Sequence, residues 1–283
     1  MLGKLIRYDS KIQLKFLGSL FIVSVLVNLF AALAGCLQAA YPKVIILGMF
    51  KTFTLGFSIL AIVAMLFGNG IYVVLHFRKN LFRDEGYLMH TLPVTETQLF
   101  FSKLITGTIC VCLSGIAAYL CACIGTRRWN YIGMFMDLME ESGVQGTKMM
   151  VLVLVTFLLL IPVTLCQFYA ALTLGYTWKN NSGNHVSRDL LSIASYIILY
   201  MIQQVIGLIA ILIYLVASFG NPFSTGFVDN MESFMDTMEH NTGGELVSYV
   251  QGMVGIALGL NIVVGIVLTI VIIWRLNRHL NLE

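Results

Sequence analysis

Charge is what this sequence has least of. Of its 283 residues only 11% are Asp, Glu, Lys or Arg, while 58% are hydrophobic, whereas soluble domains run near a quarter charged. A water-soluble core of this size cannot use so much apolar surface. Lipid can, because a bilayer interior of about 30 Å asks for helices of roughly 20 apolar residues whose backbone groups all bond internally. Catalytic signatures are missing too: there is no HExxH, no GxSxG elbow and no phosphate-cradling GxxxxGK(S/T) loop. Hydrolysis of ATP by that machinery is thereby excluded, and the chain is expected to be no enzyme, with no cofactor or metal of its own.

Six runs are long enough to span a bilayer: 16–40, 52–77, 104–126, 149–174, 190–219 and 250–274. The expected fold is therefore all-α, a single polytopic membrane domain of six spans. The first run follows a basic segment, and Leu33-Ala34-Gly35-Cys36 imitates a lipoprotein cleavage box. That reading is rejected, because the basic segment is long, the run is of spanning length and more such runs follow. Cys36, Cys110, Cys112, Cys121, Cys123 and Cys166 all fall inside apolar runs, where thiols behave as small hydrophobes rather than as a disulfide framework or metal ligands.

Lysine and arginine concentrate on the cytoplasmic flanks of membrane spans. With the N-terminus inside, twelve of them lie inside (Lys4, Arg7, Lys11, Lys15, Arg78, Lys79, Arg83, Lys103, Lys179, Arg188, Arg275 and Arg278). Five lie outside: Lys43, Lys51, Arg127, Arg128 and Lys148. Both termini are then cytoplasmic. No charged residue sits in the interior of a span, His76 being at an edge, which argues against ion-coupled carriers and voltage sensors. The polar groups left inside the spans are Asn28, Asn69, Gln167, Gln203, Gln204 and Asn261. They serve either as interhelical hydrogen bonds or, for Asn69, Gln167, Gln203, Gln204 and Asn261, as the lining of a substrate path.

Residues 1–15 form an amphipathic helix when projected at about 100° per residue. Lys4, Arg7, Lys11 and Lys15 share one stripe, and Leu2, Leu5, Ile6, Ile12 and Phe16 gather opposite. Such a helix lies along the inner membrane surface, with its lysines toward anionic headgroups. Asp9 sits amid the apolar side; a protein partner or arginines of the inner loop would explain it, and lipid would not.

The inner loop within 78–103 is dense in signals. Asn80 can cap a short helix with Asp84 and Glu85 near its positive end, and Pro93 forbids continuation beyond Leu92. Thr95 with Gln98 makes a capping box that opens the next helix. Tyr87, Leu88, Met89 and Leu92 are then exposed unless something covers them, which suggests a docking surface. In the outer loop 220–249, Phe227, Met231, Phe234, Met235 and Met238 recur at helical spacing between Asp229, Glu232, Asp236 and Glu239, the pattern of a short surface helix. Gly255 and Gly259 form a GxxxG, a close-packing face, and Pro162 is placed to kink the fourth span.

The basic amphipathic start, then Phe82-Arg83-Asp84-Glu85-Gly86-Tyr87-Leu88, Thr91-Leu92-Pro93-Val94-Thr95, Gln98-Leu99 and Ser102-Lys103-Leu104, resemble the permeases of type-2 ATP-binding-cassette transporters found in Firmicutes. Chain length and six-span layout agree over essentially the whole sequence, while the specific part is the loop. Family members often carry basic residues after the Pro-Val-Ser/Thr step, where this chain has Glu96 and Thr97. The resemblance implies an elbow helix carrying Lys4, Arg7, Asp9 and Lys11. It also implies a coupling helix, with Arg83, Asp84, Glu85, Gly86, Tyr87, Leu88, Leu92 and Pro93 seated in a groove of an ATPase subunit. ATP and Mg2+ would then reside on that subunit, with a second permease copy or paralogue and the lipid bilayer as further partners, and no nucleic acid. A bacterial plasma membrane, and export of a peptide, lipid or drug-like substrate, follow as expectations; the alternatives are a nucleotide-independent channel or carrier, or a membrane scaffold or sensor.

Overall fold

The computed structural model describes residues 2–82, 95–141, 146–177, 185–219 and 244–279. Every element among them is a helix: α1 Leu2–Ala40, α2 Ile45–Phe82, α3 Glu96–Thr126, α4 Tyr131–Glu141, α5 Gly146–Tyr176, α6 His185–Phe219 and α7 Gly244–His279. All but α4 are long and apolar enough to cross a membrane. They enclose the six apolar runs and extend beyond them, so this is the architecture of a multi-pass membrane protein. The expected boundary near residue 15 leaves no break, because the amphipathic segment and the first apolar run form one helix of 39 residues. At about 1.5 Å per residue α1 is roughly 58 Å long, well beyond the hydrocarbon thickness.

The chain divides into two compact units, one ending at Tyr131 and the other running from Ile132 to His279. In the first unit α1 packs along both α2 and α3, and α2 also meets α3. The buried face of α1 consists of Asp9, Gln13, Leu17, Ser24, Asn28, Ala31 and Ala34. It is small and polar, while Ile22, Val23, Leu26, Phe30 and Leu33 point outward. A soluble bundle would reverse that pattern. In hydrocarbon, apolar contact gains nothing over lipid, so helices associate through small residues and hydrogen bonds. Ser58 Oγ donates to Asn28 Oδ1 (2.5 Å), whose Nδ2 donates to Ser24 O (2.8 Å). The same site admits only glycine on α3, since a Cβ at Gly125 would run into Asn28 Oδ1 and stand 2.8 Å from Ser58 Oγ.

In the second unit α5 packs against both α6 and α7. Phe168 stacks on Tyr196 (4.6 Å between centroids), Cys166 Sγ faces Thr269 Oγ1 (3.6 Å), and Gly265 lets α7 close on Val163. Pro162 lies inside α5 without ending it. Among the described residues none in the most apolar stretch of α6 is fully buried, which leaves a surface that water would not tolerate and lipid would. Among the described residues nothing stands within 4 Å of a Cβ built at Gly255 or Gly259, so the GxxxG is not a close crossing inside this unit.

Two local details modify the sequence reading. Asn80 does not cap a new helix: α2 continues through it to Phe82, because its amide finds a partner one turn back in His76 (3.2 Å) and remains helical. Helix α4 was not anticipated, although Tyr131, Phe135, Met136 and Met139, its half-buried side, recur at helical spacing. Thr95 caps α3 as the Thr95/Gln98 pairing implied, its Oγ1 accepting from Gln98 N (3.4 Å). At the other end of α3, Arg127 takes a left-handed backbone, φ 59°. That conformation costs a side-chain-bearing residue about 1 kcal/mol, so Arg127→Gly is expected to raise thermal stability in detergent by about that amount.

Candidate functional site

Two places in the chain hold polar chemistry that the apolar spans do not require. The first is where α1 begins, α2 ends and α3 begins. Lys103, in the second turn of α3, extends its Nζ to 2.6 Å from Asp9 Oδ1, and His76 Nε2 of α2 stands 3.5 Å from the same oxygen. Asp9 is 0% exposed and Lys103 1%. Among the described residues, then, the exception on the apolar side of the N-terminal helix is met by Lys103 and His76, neither of them an inner-loop arginine. Lys4, Arg7, Lys11 and Lys15 remain exposed on the opposite stripe.

The His76 nitrogen has two competing neighbours. It can accept from Asn80 Nδ2 at 3.2 Å only without a proton, and can donate to Asp9 only with one. Tyr72 stacks between His76 and Phe16, at 6.0 and 3.8 Å, which holds the imidazole against α1. One salt bridge and a ring stack thus join three helix ends that are far apart in sequence. Breaking one partner of so buried a pair costs far more than breaking a surface pair.

The second place is the middle of α6 and α7. Gln203 Nε2 donates to Asn261 Oδ1 (2.7 Å), and Asn261 Nδ2 donates to Ala257 O (2.7 Å). Gln203, Gln204 and Asn261 line one cavity of about 180 Å³, together with Gly207, Ala210 and Ala257. The five amides proposed for a path are therefore not equivalent. Asn69 is fully buried between α2 and α3, donating from Nδ2 to Cys110 O (3.2 Å) and accepting from Cys110 Sγ (3.4 Å). Gln167 is buried on α5. The remaining three share one open volume.

A third feature, a groove of about 860 Å³ between the end of α1 and the start of α2, is lined by Met49, Phe53, Phe57 and Leu60, with Gln38 its main polar neighbour. Arg83, Asp84, Glu85, Gly86, Tyr87, Leu88, Leu92 and Pro93 lie outside the described residues, as does 220–243 of the outer loop 220–249. The described cysteines are free, Cys36 exposed and Cys110, Cys121, Cys123 and Cys166 buried. Among the described residues no group of three or more His, Cys, Asp or Glu is placed to hold a metal.

Sequence reasoning missed the Asp9–Lys103 pair. The signal was available in the lone acid on an apolar face and the lysine just before the third run, but nothing local joins residues 94 positions apart. Compared with protein-family models, with curated proteins and with solved structures, the chain matches none.

Proposed function

We propose that this chain is the membrane-spanning subunit of a type-2 ATP-binding-cassette transporter in a bacterial plasma membrane, working with a separate ATPase subunit and a second permease. Six apolar helices are compatible with a membrane transport protein. The observation that carries the finer reading is the frame around residues 83–94. α2 enters that segment as an unbroken helix to Phe82, α3 leaves it from a capped start at Thr95, and Asp9, His76 and Lys103 tie both to α1. A short docking segment held between two mutually locked helices passes a rigid-body movement into the membrane instead of losing it in slack chain. The partner would bind ATP and Mg2+, and closure of its dimer would drive the substrate outward.

Two measurements test this. The protein drawn from its native membrane is expected to bring an ATPase with it, and reversing the charge of Asp84 and Glu85 is expected to abolish ATP-dependent transport while the protein remains in the membrane. Flux through liposomes containing this chain alone would instead establish a nucleotide-independent carrier. Sidedness is checked by Tyr87→Cys: labelling by an impermeant thiol reagent from outside intact cells would refute a cytosolic docking segment.

A further inference from the structure

The residues of α2 that line the groove beside the α1–α2 turn fall in two neighbouring rows, each advancing four residues at a time. Gly48, Thr52 and Gly56 form one row and Met49, Phe53 and Phe57 the other, with Leu60 at the far end of the small row. A furrow floored by small residues and banked by large apolar ones thus runs along the helix. Thr52 turns its hydroxyl back onto Gly48 O (3.1 Å), so the floor presents little polarity. Among the described residues nothing fills it. A Cβ built at Gly56 would have no neighbour within 4 Å and one at Gly48 only Gln38 Nε2 (3.4 Å), while Ile45, Met49 and Phe53 are 81%, 71% and 65% exposed. The groove of about 860 Å³ falls within the roughly 300 to 1,000 Å³ of sites that bind small molecules.

Charge at the mouth selects the occupant. Lys43 lies in the turn between Pro42 and Val44, two lining residues, and Lys51 directly precedes Thr52, in the row on the other side of the floor. The sequence has no Asp or Glu between Asp9 and Asp84, and among the described residues neither lysine meets an acid. Lys51 stands just before the 52–77 run, at the edge of the hydrocarbon. From Lys51 to Leu60 the helix rises about 14 Å at 1.5 Å per residue, close to half of a hydrocarbon core of about 30 Å. The furrow is therefore as deep as one leaflet.

We infer that the furrow holds one acyl chain of an anionic phospholipid, whose head-group phosphate accepts from Lys43 and Lys51. A zwitterionic head group would bring its own ammonium up to these lysines. A second copy of the chain, crossing α2 on α2 at the furrow, would bring Lys43 and Lys51 toward their own counterparts, where like charges repel. An anionic head group instead keeps a net negative charge for the two cations to meet. The bound lipid belongs to the leaflet that the α1–α2 turn faces, the outer one with the N-terminus inside. Its binding does not depend on the transporter reading.

The test is native mass spectrometry of the purified full chain, released from detergent micelles that contain equal amounts of phosphatidylglycerol and phosphatidylcholine with the same acyl chains. The unsubstituted protein is expected to retain phosphatidylglycerol in preference. That preference is expected to fall about fivefold or more in Lys43→Gln with Lys51→Gln, the worth of at least one basic residue at an anionic surface. Arg128→Gln with Lys148→Gln, which removes the same charge elsewhere, is expected to keep it. Gly56→Leu fills the floor and is expected to lower retention of both lipids. Glycerol phosphate, a head group without a chain, is expected not to displace the lipid. Equal retention of the two lipids, or an equal fall in both charge variants, would overturn the anionic head group. Unchanged retention in Gly56→Leu would overturn the furrow as the seat of the chain, and displacement by glycerol phosphate would show an anion site only. A dimer that Gly56→Leu breaks would put a second copy there instead. Should Gly56→Leu fail to fold, Thr52→Leu, which fills the same floor, is read in its place.

Discussion

Asp9→Ala is expected to destabilise the first unit by about 3 to 5 kcal/mol. The substitution removes the carboxylate 2.6 Å from a lysine that is 1% exposed, and a buried cation that loses this carboxylate holds α3 to α1 far less well. Lys103→Met is expected to cost a similar amount for the mirror reason, since among the described residues Asp9 then keeps only His76 beside it at 3.5 Å. The double variant Asp9→Leu with Lys103→Met is expected to regain most of the loss, because an apolar pair of similar volume escapes the desolvation that both charges bear. Unfolding in detergent of the unsubstituted protein, Asp9→Leu, Lys103→Met and the double variant, compared as a double-mutant cycle, measures this. Additive losses would mean that the two groups do not interact. If the clasp also transmits movement from the 83–94 segment, the double variant should be stable and yet poorly coupled to ATP.

Gly175→Ala is expected to have the next largest effect, about 3 kcal/mol, at the upper end of what overpacking costs. A Cβ at Gly175 would overlap Ser192 Oγ and stand 2.5 Å from its backbone N and 2.6 Å from its Cα. Backbone cannot rotate out of the way as a side chain can, so α5 and α6 must part where Tyr176 donates to Asp189 just beyond the crossing. Gly252→Ala is the control. The added methyl there meets the ring end of Tyr214, the far end of a side chain and not backbone, so its cost should stay below about 1.5 kcal/mol. Thermal unfolding of the two variants side by side decides the matter; equal losses would mean that backbone contact is not what limits Gly175.

How far the sequence carried the reading depends on the range of the interaction concerned. Helix existence is a local matter of run length and apolar content, so six spans were legible, as were the exposed stripe of Lys4, Arg7, Lys11 and Lys15 and the cap at Thr95, whose donor is three residues away. The candidate site was legible in part. Gln203, Gln204 and Asn261 stood out as amides in apolar runs, but so did Asn69, and hydropathy gives no way to tell an amide that bonds Cys110 from one that borders a cavity. Asn80 reads as a cap in isolation and becomes a helix-interior residue because His76, one turn back, supplies the partner.

Composition and spacing by themselves therefore determined that this is an all-helical, six-span chain whose apolar spans carry no interior charge, because lipid selects on length and polarity that any single segment either has or lacks. Only the tertiary structure decided that Asp9 answers to Lys103 and His76, that Gly125 and Gly175 are crossings, and that Gln203 reaches across to Asn261, 58 residues away. Each of these pairings depends on which helix faces come together. That choice is made by small residues and hydrogen bonds on surfaces that hydropathy counts alike.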